Sequence, residues 1–126
     1  MTQTVVNVPE AGGAMGEGDF YSTTAGGAIT IDFANGYYQR ITLNAAITDV
    51  AFSAVPANEG RSVIVDFVQP SSGITYGASF PGIKFDSGIA PTLSTGFDDV
   101  DRIAFDLIND GVTTTEYGHV LGLDMA

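Results

Sequence analysis

Residues 62–68 read SVIVDFV, and this run decides the fold class. In an extended strand, successive side chains point to opposite faces, so Val63, Val65 and Phe67 would share one face. The opposite face would carry Ile64, Asp66 and Val68. Apolar residues on both faces are typical of a central strand, or of a strand whose outer face meets another subunit. The run therefore predicts a β-strand inside a sheet.

The same two-residue period continues upstream of this run. Ile29, Ile31 and Phe33 alternate with polar residues, and a second alternating run covers residues 37–43. The turn signal Ala34-Asn35-Gly36 between them predicts a hairpin with a three-residue loop. That loop would set Ile29 opposite Ile41 and Phe33 opposite Tyr37. Residues 47–55 predict a separate third strand that ends before Pro56.

Downstream, residues 74–76 and 83–85 are candidates for short strands, and residues 86–96 predict a long loop. Ile103, Phe105 and Leu107 begin the clearest hairpin, which turns at Asn109-Asp110-Gly111 and returns through residues 113–121. An odd-length loop would set Ile103 opposite Tyr117 and His119 opposite Asp101. No window shows a strong helical period, and glycine is too frequent for long helices. The pattern predicts an all-β fold, an antiparallel β-sandwich or jelly-roll-like body with an extended N-terminal arm.

The chain divides into an arm at residues 1–27 and a β-sandwich domain at residues 28–126. The arm is rich in glycine and alanine, so a neighbouring molecule would have to order it; a frayed terminus explains the same composition equally well. Its possible anchors are Val5, Val6, Val8, Phe20 and Tyr21.

Composition excludes several classes of function. With 126 residues the chain forms one domain, and four basic against fifteen acidic residues give a net charge of −11. Nucleic-acid and anionic-membrane binding need clustered cations, so neither is expected. No apolar run approaches the length of a membrane span, and the chain contains no cysteine for thiol chemistry or disulfides.

Few residues offer catalytic chemistry. Asp98, Asp99 and Asp101 form an acidic cluster that suits a calcium loop or a solvated turn, and the turn is the simpler interpretation because the EF-hand spacing is missing. Asp66 and Asp106 lie within strands, with nothing to place them across a cleft as a carboxylate pair. His119 is the single histidine, and no nucleophile elbow or nucleotide-binding loop accompanies it. We therefore expect no catalytic residues, no cofactor and no metal site.

The aromatic residues suggest a contact surface. A platform that stacks against sugars could include Phe20, Tyr21, Tyr37, Tyr38 and Tyr76. Tyrosine is equally common at protein interfaces, and sugar-binding faces usually also use tryptophan, which is absent here. Core packing or a subunit interface is the simpler use of these rings.

One stretch resembles a known family. Residues 83–111, IKFDSGIAPTLSTGFDDVDRIAFDLINDG, resemble a module of tailed-bacteriophage structural proteins. In that module a strand ending in an aromatic residue, here Phe85 where tryptophan is common, precedes a Gly-x-x-Pro-x-Leu element, here residues 88–93. An Asp-Val/Ile strand then leads into a hairpin, here residues 101–110. Residues 40–69 resemble the preceding part of the module, so that the resemblance covers residues 28–121.

The resemblance implies a virion component without enzymatic activity. For a chain this short it implies a head decoration (cement) protein on the outer surface of the capsid, bound to the major capsid protein and to itself as a homotrimer. We expect the contacts to use Val5, Val6, Val8, Phe20, Tyr21, Val63, Val65 and Phe67. The other face of the same strand, with Ile64 and Val68, is the alternative to the last three residues. The alternatives are a tail or head fibre module that binds a host-surface glycan and a small hydrolase with an acidic dyad.

Overall fold

The computed structural model describes residues 20–125, and this part of the chain is all-β, as the alternating sequence predicts. It contains two short 3-10 turns, at Phe33–Asn35 and Asp86–Gly88, and no α-helix that could cross a membrane. The strands are β1 (Tyr21–Ile31), β2 (Tyr38–Phe52), β3 (Glu59–Val68), β4 (Lys84–Phe85), β5 (Val100–Asn109) and β6 (Thr114–Gly122). Because β1 begins at Tyr21, the folded body starts before the predicted boundary at residue 28.

The six strands form one mixed sheet in the order β1-β2-β3-β5-β6-β4. Strand β5 is antiparallel to both β3 and β6, whereas β1 with β2, β2 with β3, and β4 with β6 run parallel. The expectation of a purely antiparallel fold is therefore wrong. A sandwich or jelly-roll arrangement stays a prediction.

The first predicted hairpin is also wrong. Strands β1 and β2 are parallel, so Ile29 lies opposite Val50 rather than Ile41. Residues 47–52 continue β2 instead of forming a separate strand. Residues 33–35 form a 3-10 turn, and the buried side chain of Gln39 donates to the carbonyls of Asp32 and Gly36. These contacts hold the loop in a shape that returns the chain to the start of β1.

Chain length requires β1 and β2 to bend. Their register sets Tyr21 beside Gln39 and Ile31 beside Phe52, although six residues connect the strands. That connection reaches at most about 25 Å, whereas a straight eleven-residue strand would be about 33 Å long. The bend lies between Ala25 and Ala28, where the register shifts twice.

Two glycines make this bend possible. A Cβ atom on Gly26 would lie 2.6 Å from the backbone nitrogen of Ala45, so no side chain fits there. Gly27 has a φ of +74°, a conformation that residues with a Cβ atom rarely adopt. The two strands therefore cross closely at this point before continuing in a new direction.

Beyond the bend, the second halves of β1 and β2 cover the inner face of β3 and β5. The ring of Phe52 on β2 lies 5.3 Å from that of Phe105 on β5. Phe80 completes the aromatic core, 5.8 Å from the ring of Phe67. The other side chains that are buried here include Ile31, Leu43, Ile47, Val63, Val65, Ile103 and Leu107.

This core accounts for three residues expected at an interface. Val63 and Val65 are fully buried and Phe67 is 1% exposed within the chain itself. Their face of β3 packs against the chain's own bent strands, which the sequence pattern alone does not distinguish from a second subunit. They therefore leave no surface for contact with another molecule.

The last hairpin forms as predicted, but in a different register. Ile103 lies opposite Val120, and His119 lies opposite Ala104 rather than Asp101. The turn is longer than expected because the backbone N–H of Asp110 donates to the carbonyl of Thr113. The Asp110 carboxylate also accepts from the N–H groups of Val112 and Thr113, which fixes the longer loop.

We expect Gly26→Ala to destabilise the protein by about 2 kcal/mol or more, because the added methyl group would overlap the backbone of Ala45. Gly77→Ala is the matched control, since a Cβ there meets nothing within 4 Å. Urea titration of both variants measures the difference. Equal stability of the two variants would contradict the close crossing of β1 and β2.

Candidate binding surface

Three charged residues form a row across the outer face of the sheet. The register sets Arg40 on β2 opposite Asp66 on β3, and Asp66 opposite Arg102 on β5. They alternate along their strands with the core residues, so they point away from the core. The sequence alone does not predict this cluster, because strands that are far apart in the chain bring the three residues together. Only the register between those strands shows that they are neighbours.

Asp66 accepts hydrogen bonds from both arginines. Arg102 binds it through two nitrogens, with Nε 2.7 Å from Oδ1 and Nη2 3.0 Å from Oδ2. Nη2 of Arg40 lies 3.2 Å from Oδ2. The Asp66 side chain is 9% exposed, whereas those of Arg40 and Arg102 are 41% and 39% exposed. The carboxylate thus anchors two guanidinium groups that still reach solvent.

The charge state of this cluster follows from its geometry. Burial alone would raise the pKa of Asp66, but the hydrogen bonds and charges of Arg102 and Arg40 outweigh it, so that its pKa lies below 3.8. Asp66 in turn raises the pKa of Arg102 above its ordinary value. At neutral pH the cluster therefore holds two positive charges and one negative charge.

A groove of about 370 Å³ opens beside this cluster, and we call it the Arg40–Arg102 groove. Its apolar walls are Phe20, Tyr38 and Ile64. The guanidinium carbon of Arg40 lies 5.2 Å from the centre of the Phe20 ring, within the range of a cation–π contact. The groove combines arginine donors with exposed ring faces, which suits an anionic ligand with an apolar surface.

The predicted aromatic platform is only partly assembled here. Phe20 and Tyr38 line the groove, and the ring of Tyr37 contacts that of Tyr38 at 4.9 Å. Tyr21 is half-buried on β1, and Tyr76 packs against the core. The predicted contact residues Val5, Val6 and Val8 lie outside the described residues.

A serine, an aspartate and the histidine also meet on the outer face. Ser62 donates to Oδ1 of Asp106 at 2.5 Å, and Nε2 of His119 lies 3.1 Å from Oδ2 of the same carboxylate. A serine nucleophile needs the histidine between the serine and the carboxylate. Here the carboxylate lies between the other two, so this arrangement does not activate Ser62. The predicted pairing of His119 with Asp101 is therefore wrong, because the register places His119 beside Asp106 instead.

The acidic cluster at residues 98–101 serves the fold. Asp101 is 1% exposed, and its carboxylate accepts from the hydroxyl and N–H of Ser94 and from the N–H of Asp124. Asp99 accepts from the N–H of Gly96. Within residues 20–125, no group of three or more acidic, histidine or cysteine residues is arranged to hold a metal ion. These contacts hold the long loop and the C-terminal segment against β5.

Strand β1 forms one edge of the sheet, and no described strand pairs with its outer side. Its sequence, YSTTAGGAITI, contains neither a charged residue nor a proline. Natural proteins usually protect sheet edges with such residues, because unpaired N–H and C=O groups attract other strands. The β1 edge is therefore a candidate surface for main-chain pairing.

We expect Asp66→Asn to lower the free energy of unfolding by about 1–2 kcal/mol at neutral pH, because it leaves two guanidinium groups without their anion. The value is below that of a fully buried pair because water screens both arginines. Since the folded pKa of Asp66 lies below its ordinary value of 3.8, its contribution is complete above that pH. The difference from wild type should shrink as the pH falls through the folded pKa.

Urea titrations at several pH values measure this difference, with the exposed Asp86→Asn as the control. A constant difference down to strongly acidic pH, or equal effects of the two substitutions, would contradict the assigned role of Asp66.

Comparisons with known proteins give no match. No family model, curated protein sequence or solved structure is similar to this chain. The resemblance to phage structural proteins therefore depends on the sequence of residues 28–121 alone.

Proposed function

We propose that the protein is a non-enzymatic structural component of a bacteriophage virion. It is a capsid decoration protein that binds the major capsid protein and other copies of itself on the outer surface of the head. The resemblance of residues 28–121 to phage structural proteins suggests this role. The observation that carries it is the open, uncharged β1 edge.

The β1 edge suits the addition of a strand from another molecule. An added strand forms main-chain hydrogen bonds along the edge, and side chains on alternate positions provide specificity. Strand β1 is eleven residues long, enough for several such bonds. A protein whose task is to join neighbouring subunits gains a large contact from this geometry without a deep pocket.

The chain also contains a segment suited to be the added strand. Residues 2–8 read TQTVVNV, which is uncharged and rich in β-branched residues. If this segment of one copy pairs with β1 of the next, the contact is head-to-tail, and three copies can close a ring. A trimer is the form that fits a three-fold position on a capsid.

The charge of the protein fits an outer-surface location. At a net charge of −11, the protein and packaged DNA repel each other. The same charge favours solubility before assembly. Neither β1 nor residues 2–8 contain a charged residue, so the pairing strands themselves add nothing to the repulsion between copies.

We expect deletion of residues 2–18, or Thr24→Lys on β1, to reduce self-association at least tenfold. Lysine at a sheet edge opposes pairing with another strand. Thr114→Lys is the matched control, since Thr114 is also exposed but lies on β6 at the far side of the sheet. Light scattering after size-exclusion chromatography measures the mass as a function of concentration. A monomer at every concentration, or equal effects of the two lysines, would count against pairing at β1.

The proposed location on the outer surface of the capsid can be tested with purified phage particles. The protein should sediment with DNA-filled heads, and a particle reconstruction should show it on the outer surface of the shell. The deletion of residues 2–18 should lower its occupancy while circular dichroism still shows a β-rich fold. Density inside the lumen, or unchanged occupancy of the truncated protein, argues against the decoration role.

A second candidate function is supported by the Arg40–Arg102 groove. A fibre module of a phage tail or head binds a host-surface glycan, and exposed aromatic rings beside hydrogen-bond donors suit a sugar. Phe20 and Tyr38 are half-exposed at this groove. This function needs no self-association, so the light-scattering experiment separates it from the first.

A further inference from the structure

We propose that the Arg40–Arg102 groove binds a sugar that carries a carboxylate, of the hexuronic acid class. This inference rests on the second candidate function and narrows it from glycans in general to acidic sugars.

The two arginines of the groove have hydrogen-bond donors that Asp66 does not occupy, and these could bind an anion. Arg102 uses Nε and Nη2 to hold Asp66, and Arg40 uses Nη2. Their Nη1 groups have no hydrogen-bond partner in the part of the chain that the structure describes. Nε of Arg40 is buried there and is not open to a ligand. An arginine presents donors in a plane that matches the two oxygens of a carboxylate.

The charge at this site is opposite to that of the whole molecule. Arg40 and Arg102 are two of only four basic residues in the chain, and Arg61 is paired with Glu59 at 2.7 Å. Asp66 neutralises one of the two charges at the groove. The remaining positive charge attracts an anion locally, whereas the acidic remainder of the protein keeps the binding weak and reversible.

The walls of the groove favour a ring over a bare anion. Phe20 and Tyr38 are 50% and 52% exposed, and Ile64, opposite Tyr38 on β3, completes the apolar walls. A volume of about 370 Å³ is at the lower end of the range for small-molecule pockets. A single pyranose ring could lie with its apolar face on the aromatic walls while its carboxylate meets the guanidinium groups.

The test is an NMR titration of the full-length ¹⁵N-labelled protein with glucuronate and with glucose. The two sugars have the same pyranose ring, but glucuronate carries a carboxylate where glucose carries a hydroxymethyl group. We expect glucuronate to shift the amide signals of Phe20, Tyr38 and Arg40 and to bind at least tenfold more tightly than glucose. N-acetylaspartate amide, a carboxylate without a sugar ring, should also bind at least tenfold more weakly than glucuronate.

The outcomes separate this inference from the function on which it rests. Equal binding of glucose at the groove overturns the preference for acidic sugars but leaves glycan binding in place. Equal binding of N-acetylaspartate amide shows a carboxylate site for peptides and overturns the sugar assignment. No shift with any of the three compounds overturns both the inference and glycan binding at this groove.

Substitutions test separately what the aromatic rings and the arginines of the groove contribute to binding. Phe20→Ala and Tyr38→Ala should each weaken glucuronate binding severalfold, whereas Phe97→Ala, at an equally exposed phenylalanine outside the groove, should not. Arg40→Gln should weaken glucuronate more than Arg40→Lys, which keeps the charge but loses the planar donors. Dispersed amide signals confirm that each variant is folded. Unchanged affinity in Arg40→Gln or in both aromatic variants contradicts the proposed site.

Discussion

The close crossing of β1 and β2 at Gly26 is the constraint on which the rest of the structure depends. Without a bend, the short connection between these strands could not join them in parallel. The bend brings Phe52 onto Phe105 and so covers the inner face of β3 and β5. At Gly26 the backbone of β1 lies so close to the backbone of β2 at Ala45 that only glycine fits. This close contact allows the bend, and the bend covers the apolar face that the sheet would otherwise expose.

The same register that builds the core creates the outer surface. In a sheet, fixing the inward side chains also fixes the outward ones, because successive residues alternate between faces. With Val65 and Ile103 paired inside, Asp66 and Arg102 must pair outside. The charged row and the groove beside it thus follow from core packing. No separate element is needed to assemble them.

The sequence predicts the faces of the strands better than their partners. The alternation at residues 62–68 correctly separates Val65 from Asp66, because burial in a sheet has a period of two. It does not say whether Ile29 pairs with Ile41 or with Val50, since both choices bury an apolar residue. Asn35-Gly36 is a common hairpin signal, yet here the 3-10 turn and the Gln39 contacts override it. The Arg40–Asp66–Arg102 cluster could not be predicted for the same reason. It depends on which strands are neighbours in the sheet, whereas the sequence pattern shows only which side chains share a face of a strand.

The bend also leaves β1 as a long edge without charge or proline, and the proposed role in a virion depends on that edge. Amide hydrogen exchange tests this most directly, comparing the free protein with the assembled or particle-bound form. We expect the β1 amides that point away from β2 to exchange more slowly in the assembled form, while those of β6 stay unchanged. Unchanged exchange along β1 in a form that is demonstrably assembled would contradict the account.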